Sequence, residues 1–159
     1  ISNPEYAGFA MFLIAFLETF FISGAIWPSV ILLLFAVGLS EADIELIYIC
    51  LGAGIGAWIG DTTSYYSGLF FGPKLKKLDF LKKREALFIR GENFFNKYGW
   101  SGILIGRLIP AIRPFIPFIA GISSMKQTIF LVSSILACLI WSLALAILVL
   151  GIDNIFKLF

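Results

Sequence analysis

The sequence predicts an all-α membrane protein. Two facing re-entrant helical hairpins fall at about 7–39 and 99–122, transmembrane helices at about 44–71 and 128–150, and an interfacial amphipathic helix at about 84–98. Three observations carry the prediction. First, 60% of the 159 residues are hydrophobic and 14% charged, against roughly 45–50% apolar and about 25% charged in soluble domains. A soluble domain of this size could not hide that much apolar surface, 17 phenylalanines included. Second, the charges cluster at boundaries: Glu18 alone falls within 6–40, Asp61 alone within 46–73, Arg107 and Arg113 within 98–125, and none within 127–152. Third, two of these apolar segments are broken near their middles.

The first segment is interrupted at Ser23-Gly24 and at Trp27-Pro28-Ser29. The third carries Pro110, Pro114 and Pro117 within eight residues, a density that no regular helix accommodates. Each side of such a break amounts to ~17 Å of helix at 1.5 Å per residue, about half of a ~30 Å hydrocarbon core. Two half-helices that enter, break and leave on one side fit better than a kinked span, with Pro28, Pro110, Pro114, Pro117 and Gly121 as the hairpin-breaking residues. The second segment holds Gly52, Gly56 and Gly60 at intervals of four, and Gly68 beyond them. Small residues on one face let helices approach closely in lipid, so these four are expected to pack helices. No Gly-Lys-Ser/Thr follows, which argues against a phosphate loop. The fourth segment, Thr128 to Leu150, reads as a plain transmembrane helix with Trp141 as its one large polar-tipped residue.

Between the second and third segments, residues 73–97 carry eight basic residues (Lys74, Lys76, Lys77, Lys82, Lys83, Arg84, Arg90 and Lys97) against Asp79, Glu85 and Glu92. The turn at Glu41, Asp43 and Glu45 is acidic. The positive-inside rule places 73–97 in the cytoplasm and the acidic turn outside. Leu87, Phe88, Gly91, Phe94, Phe95 and Tyr98 share one helical face, the pattern of an interfacial helix. Topology accounts for the lysines, and contact with lipid headgroups stays open.

Composition also excludes chemistry. The net charge of +2 leaves no footprint for nucleic acid. With no histidine there can be no Ser-His or Cys-His triad, His-ligated zinc or phosphohistidine. Cys50 and Cys138 lack metal-ligand spacing and read as small buried hydrophobes. A GxGD aspartyl protease would need glycine where Trp58 stands, and a metal-dependent lipid-head transferase would need spaced aspartates where Asp61 is alone. The chain is therefore expected to be no enzyme, to hold no metal and to carry no cofactor. It begins at Ile1 rather than methionine, so 1–159 reads as a single membrane domain lacking its native N-terminus.

Glu18, Asp61, Arg107 and Arg113 are the informative residues. An unpaired charge at mid-bilayer costs at least about 2.5–3.5 kcal/mol, so four would cost on the order of 10 kcal/mol unless paired or hydrated. Two acids and two bases permit pairing, which serves equally a neutral network pinning the hairpins together and a binding site. Broken helices occurring twice in one chain point to a transporter site between two halves. Arginine stays charged and grips phosphate with parallel hydrogen bonds. An anionic substrate, exchanged against or accompanied by a proton or cation, suits the set.

The run GRLIPAIRPFIPFIAG (106–121) followed by Met125, the run GDTTSYYSGLFFG (60–72), and Glu18 ten residues before Pro28-Ser29 together resemble the DedA family, also called VTT-domain or SNARE-associated Golgi proteins. The resemblance covers nearly the whole chain. It implies a multi-pass protein of the bacterial cytoplasmic (inner) membrane in which two facing hairpins move lipids between leaflets. The implied substrates are undecaprenyl phosphate, a polyisoprenyl phosphate, or phospholipids, bound through Glu18, Asp61, Arg107 and Arg113. Where many members place an acidic residue in the first hairpin, this chain has Val30. The alternatives are a proton- or cation-coupled carrier of a soluble anion and a passive phospholipid scramblase. Assembly as a homo-oligomer stays open.

Overall fold

The computed structural model describes residues 4–20, 22–24, 29–75, 85–109 and 112–156. Among these the chain is all-helical: α1 (Pro4–Thr19), α2 (Ser29–Glu41), α3 (Leu46–Leu75), α4 (Glu85–Tyr98), α5 (Trp100–Leu108), α6 (Phe115–Ile122) and α7 (Gln127–Phe156). Two stretches are long and apolar enough to cross a membrane, Leu46–Gly72 of α3 and Gln127–Ile152 of α7. The remaining helices are shorter. At 1.5 Å per residue α1 spans about 24 Å and α2 about 20 Å, and α5 and α6 about 14 and 12 Å, all short of a ~30 Å hydrocarbon core.

The long helices pack antiparallel. Ser142 Oγ donates to the Cys50 carbonyl at 2.9 Å, Ser134 Oγ reaches Asp61 at 2.9 Å, the Tyr65 and Phe130 rings stack with centroids 4.2 Å apart, and Gln127 meets Tyr66. α1 lies parallel to the first half of α3. Gly52 faces the Gly8 backbone, Gly56 the Phe12 backbone, and Gly60 faces Phe16 and Thr19, so close that a Cβ at any of the three would collide. α6 lies along the second half, where Gly68 faces the Phe118 carbonyl and Gly121 the backbone of Tyr65 and Leu69. In lipid no hydrophobic drive joins helices, so close backbone packing of this kind supplies the adhesion.

α2 and α5 pack on the opposite halves of α7 through apolar side chains. Leu32, Ala36 and Val37 share one apolar cluster with Leu145 and Val149, and Ile103 shares a second with Phe130 and Ala137. Both helices that return to the spans, α2 and α6, end in the same cap. Asp43 and Ser124 take positive φ (58° and 53°), while Ile44 N–H bonds the Leu39 carbonyl and Met125 N–H bonds that of Ala120. This six-to-one bond closes a Schellman cap. Gly99, at φ 54° and ψ −128°, turns the chain from α4 into α5, and Phe94 and Phe95 of α4 pack over Gly102.

Two predicted breakers do not break. The chain turns at 112–114, ahead of α6, whereas Pro117 is the third residue of α6. There its missing N–H belongs to the first turn, whose donors have no helical acceptor in any case. Gly121 is likewise inside α6, and its role is close packing on α3. Pro28 and Pro110 lie outside the described residues, as do 76–84 of the basic stretch, whereas Pro114 stands at the start of α6. α3 and α7 run past the predicted ends at 71 and 150, because the helical pattern continues beyond the apolar core.

Candidate functional site

Asp61 sits mid-span on α3, about 22 Å from Leu46 and about 16 Å from Gly72 at 1.5 Å per residue. Close packing of Gly60 against α1 sets the end of that helix beside it, which brings in Glu18. Arg107 comes from the last turn of α5 and Arg113 from the bend before α6. The two bends touch: a Cβ on Gly24 would meet Pro114 Cβ at 2.9 Å.

All four predicted charges are brought together, in crossed pairs. Arg113 Nη1 donates to Glu18 Oε1 at 2.9 Å, and Arg107 Nη1 donates to Asp61 Oδ2. Each side chain is less than 10% exposed. One apolar cluster lies on one side of this charged layer and one on the other, so the layer divides the core at half height.

Three further residues of α7 complete the site. Ser134 Oγ donates to Asp61 Oδ2, Cys138 Sγ lies 3.8 Å from the same oxygen, and the Trp141 ring stacks under the Arg113 guanidinium with Cζ 4.5 Å from its centroid. Cys138 is thus more than the inert buried hydrophobe expected of it. The sequence held a usable signal, since 134, 138 and 141 recur at the i, i+4, i+7 spacing of one helical face.

The pairing is incomplete. Nε and Nη2 of Arg107, Nε and Nη2 of Arg113, and Oε2 of Glu18 are buried without a hydrogen-bond partner among the described residues. A buried unsatisfied polar group costs about 1–3 kcal/mol, more when charged. Each arginine spends one nitrogen on a carboxylate and keeps two donors for another acceptor. Arg107 also lines a cavity of about 170 Å³ with Leu104, Ala137, Ile140, Trp141 and Ala144. A second groove of about 300 Å³ runs between α3 and α7, lined by apolar side chains with Cys50, Trp58, Cys138 and Ser142. No group of three or more metal-ligating side chains occurs among the described residues.

Two long apolar helices, four short ones packed on them, and a buried paired-charge layer at mid-span define a multi-pass integral membrane protein. A family model, the VTT domain, matches residues 27–150. Inner membrane protein YqjA of Escherichia coli is 30% identical over 157 residues, 93% of this chain and 70% of that protein. Inner membrane protein YabI of the same organism is 30% identical over 140 residues, 87% of this chain and 55% of that protein. Uncharacterized membrane protein BU139 of Buchnera aphidicola is 29% identical over 130 residues, 81% and 51% respectively. The chain belongs to the VTT-domain (DedA) family, and is an inner-membrane protein as YabI and YqjA are. It spans about half the length of YabI and of the Buchnera protein, and no solved structure matches it.

Proposed function

We propose that the chain is a transporter of lipid phosphates and not an enzyme: a flippase that returns undecaprenyl phosphate, or a related anionic phospholipid, across the cytoplasmic membrane. The observation that carries the reading is the four guanidinium nitrogens of Arg107 and Arg113 at mid-span that have no partner among the described residues. A phosphate monoester or diester offers several oxygens to such forks. In water the arginines would gain little from it; in a buried layer the same bonds are far stronger.

In the proposed mechanism the pairs α1–α2 and α5–α6 are re-entrant hairpins whose bends meet at the midplane. α2 ends beside the start of α3, where α1 also begins, and α6 ends beside the start of α7. Each pair therefore opens toward its own side of the bilayer, with 73–97 cytoplasmic. Incoming phosphate displaces Glu18 from Arg113 and Asp61 from Arg107. The released carboxylates take up protons or a cation, and movement of one hairpin against the other exposes the phosphate to alternate sides.

The test is leaflet exchange of undecaprenyl phosphate in proteoliposomes, with and without a pH gradient. Exchange is expected to need Arg107 and to respond to the gradient, and Arg107→Ala should lower it by about 100-fold, the scale of losing a charge-assisted contact of about 3 kcal/mol. One observation favours a second reading, the passive scramblase: Val30, exposed at the start of α2, supplies no carboxylate to the first hairpin. Exchange that needs Arg107 and ignores the gradient would establish it. A folded protein that exchanges no lipid would move the assignment to a soluble-anion carrier.

A further inference from the structure

The cavity beside Arg107 has a shape and position that the headgroup site alone does not require. Its walls are Leu104 of α5 and Ala137, Ile140, Trp141 and Ala144 of α7, and Arg107 is its one charged lining residue. The α7 positions follow an i, i+3, i+4, i+7 spacing, so they form one strip along the helix. Ala137 is buried against the core, Ile140 is 53% exposed, and Ala144 is exposed. The strip therefore runs from the charged layer out to the surface that faces lipid. The two alanines keep it open, where leucine or phenylalanine would close it.

We propose that this crevice between α5 and α7 seats the first part of the apolar chain of the transported lipid, and that the lipid enters the charged layer sideways through it. The inference rests on the lipid-phosphate reading and deepens it, because it separates a lipid from a soluble anion of the same headgroup chemistry. A hydrated anion gains little from a corridor lined, among the described residues, by apolar side chains and the Trp141 ring, with Arg107 as the one charged group. An amphiphile gains at both ends: its phosphate reaches the free nitrogens of Arg107, and its chain stays in apolar surroundings throughout. Continuity selects this crevice over the larger α3–α7 groove. That groove has no charged lining residue and approaches Asp61 only through Cys138.

Ala144→Phe plugs the outer part of the crevice without touching the ion pairs. In proteoliposomes it should slow lipid exchange at least about tenfold, equivalent to about 1.4 kcal/mol of barrier. Binding of glycerol 3-phosphate to the detergent-solubilised protein, measured by calorimetry, should stay close to the wild-type value. Leu139→Phe, in the α3–α7 groove, should leave exchange unchanged. Wild-type exchange rates in Ala144→Phe, or loss of exchange in Leu139→Phe instead, would overturn the crevice while leaving the arginine site standing. If the wild-type protein neither binds glycerol 3-phosphate nor exchanges lipid, the lipid-phosphate reading itself falls and takes the crevice with it. A second measurement needs no variant: a lipid phosphate carrying a diazirine near the start of its chain should photolabel peptides containing Leu104 and 137–144. Labelling confined to 50–58 would place the chain in the other groove.

Discussion

Asp61 Oδ2 accepts from Arg107 and from Ser134, with the Cys138 thiol close by, whereas Glu18 has one oxygen bonded to Arg113 and the other without a partner among the described residues. The two acids are therefore unequal: Asp61 is held by three residues on two elements, α5 and α7, and Glu18 by one residue. In the proposed mechanism Glu18 is the carboxylate that an incoming anion would dislodge more readily, and Asp61 the one that would hold Arg107 in place for it. Removing one partner of a buried pair strands the other charge and costs about 3–5 kcal/mol, whereas removing both is often nearly neutral. Asp61→Asn should accordingly lower the stability of the purified protein by about 3 kcal/mol, and the double variant Asp61→Asn/Arg107→Gln should recover most of it. Thermal unfolding in detergent measures both, and lipid exchange should be lost in each. Equal destabilisation of the double variant would mean that side-chain packing, not charge pairing, is what holds α5 to α3.

Helix approach is controlled by glycines whose roles differ sharply with position. At Gly56 an added Cβ would strike the Phe12 carbonyl, and backbone on both sides leaves nothing to yield, whereas at Gly38 it would meet nothing within 4 Å. Gly56→Ala is expected to destabilise by about 1–3 kcal/mol through forced separation of α1 from α3. Gly38→Ala should be neutral or stabilising by up to about 1 kcal/mol from helix propensity. The cap at Ser124 gives the opposite sign at an element end: Ser124→Gly removes the strain of a side chain at φ 53° and should stabilise by roughly 0.5–1 kcal/mol. Denaturant unfolding of the three variants tests the set, and a common sign for Gly56→Ala and Gly38→Ala would refute the close-packing account. Much of this level was legible in the sequence. A bilayer tolerates few charges and few helix breakers, so Glu18, Asp61, the two arginines and the glycine stripe stood out against apolar surroundings. Which acid meets which arginine was not legible, because pairing depends on how α1 and α6 share the length of α3. Nor was the mildness of Pro117, since proline's effect depends on the turn it occupies, and no composition rule locates the first turn of α6. Ser134, Cys138 and Trp141 were missed because each residue type is ordinary in a transmembrane helix; only their shared face marks them.

Leaving α4 aside, the order in which the helices pack repeats when the two halves are exchanged. α1 lies against α3 as α5 lies against α7, α6 against α3 as α2 against α7, and the helices α2 and α6 both close in a Schellman cap three residues before a span begins. Since α3 and α7 are antiparallel, the halves present opposite ends to the bilayer, and the contact between their bends falls at the charged layer. If the two pairs are re-entrant hairpins, as proposed, such an arrangement would have two equivalent ways to open, one at each pair, which alternating access requires. The proposed hairpins imply a topology that differs from that of four full crossings by the short helices. With Cys50 and Cys138 replaced by alanine, single cysteines can be placed at Ala42, Ser124 and Ser23 and treated with a bulky, membrane-impermeant thiol reagent. Ala42→Cys, at the junction of α2 and α3, should label from the outside only. Ser124→Cys, at the junction of α6 and α7, should label from the cytoplasmic side only. Ser23→Cys, at the bend beyond α1, decides the matter: a re-entrant hairpin leaves it at mid-depth and unlabelled from either face, whereas a full crossing delivers it to the cytoplasm beside Ser124. Labelling of Ser23→Cys from the cytoplasmic side in intact vesicles would therefore dismantle the proposed hairpin topology, and with it the meeting of the two bends at the midplane on which the proposed transport cycle depends.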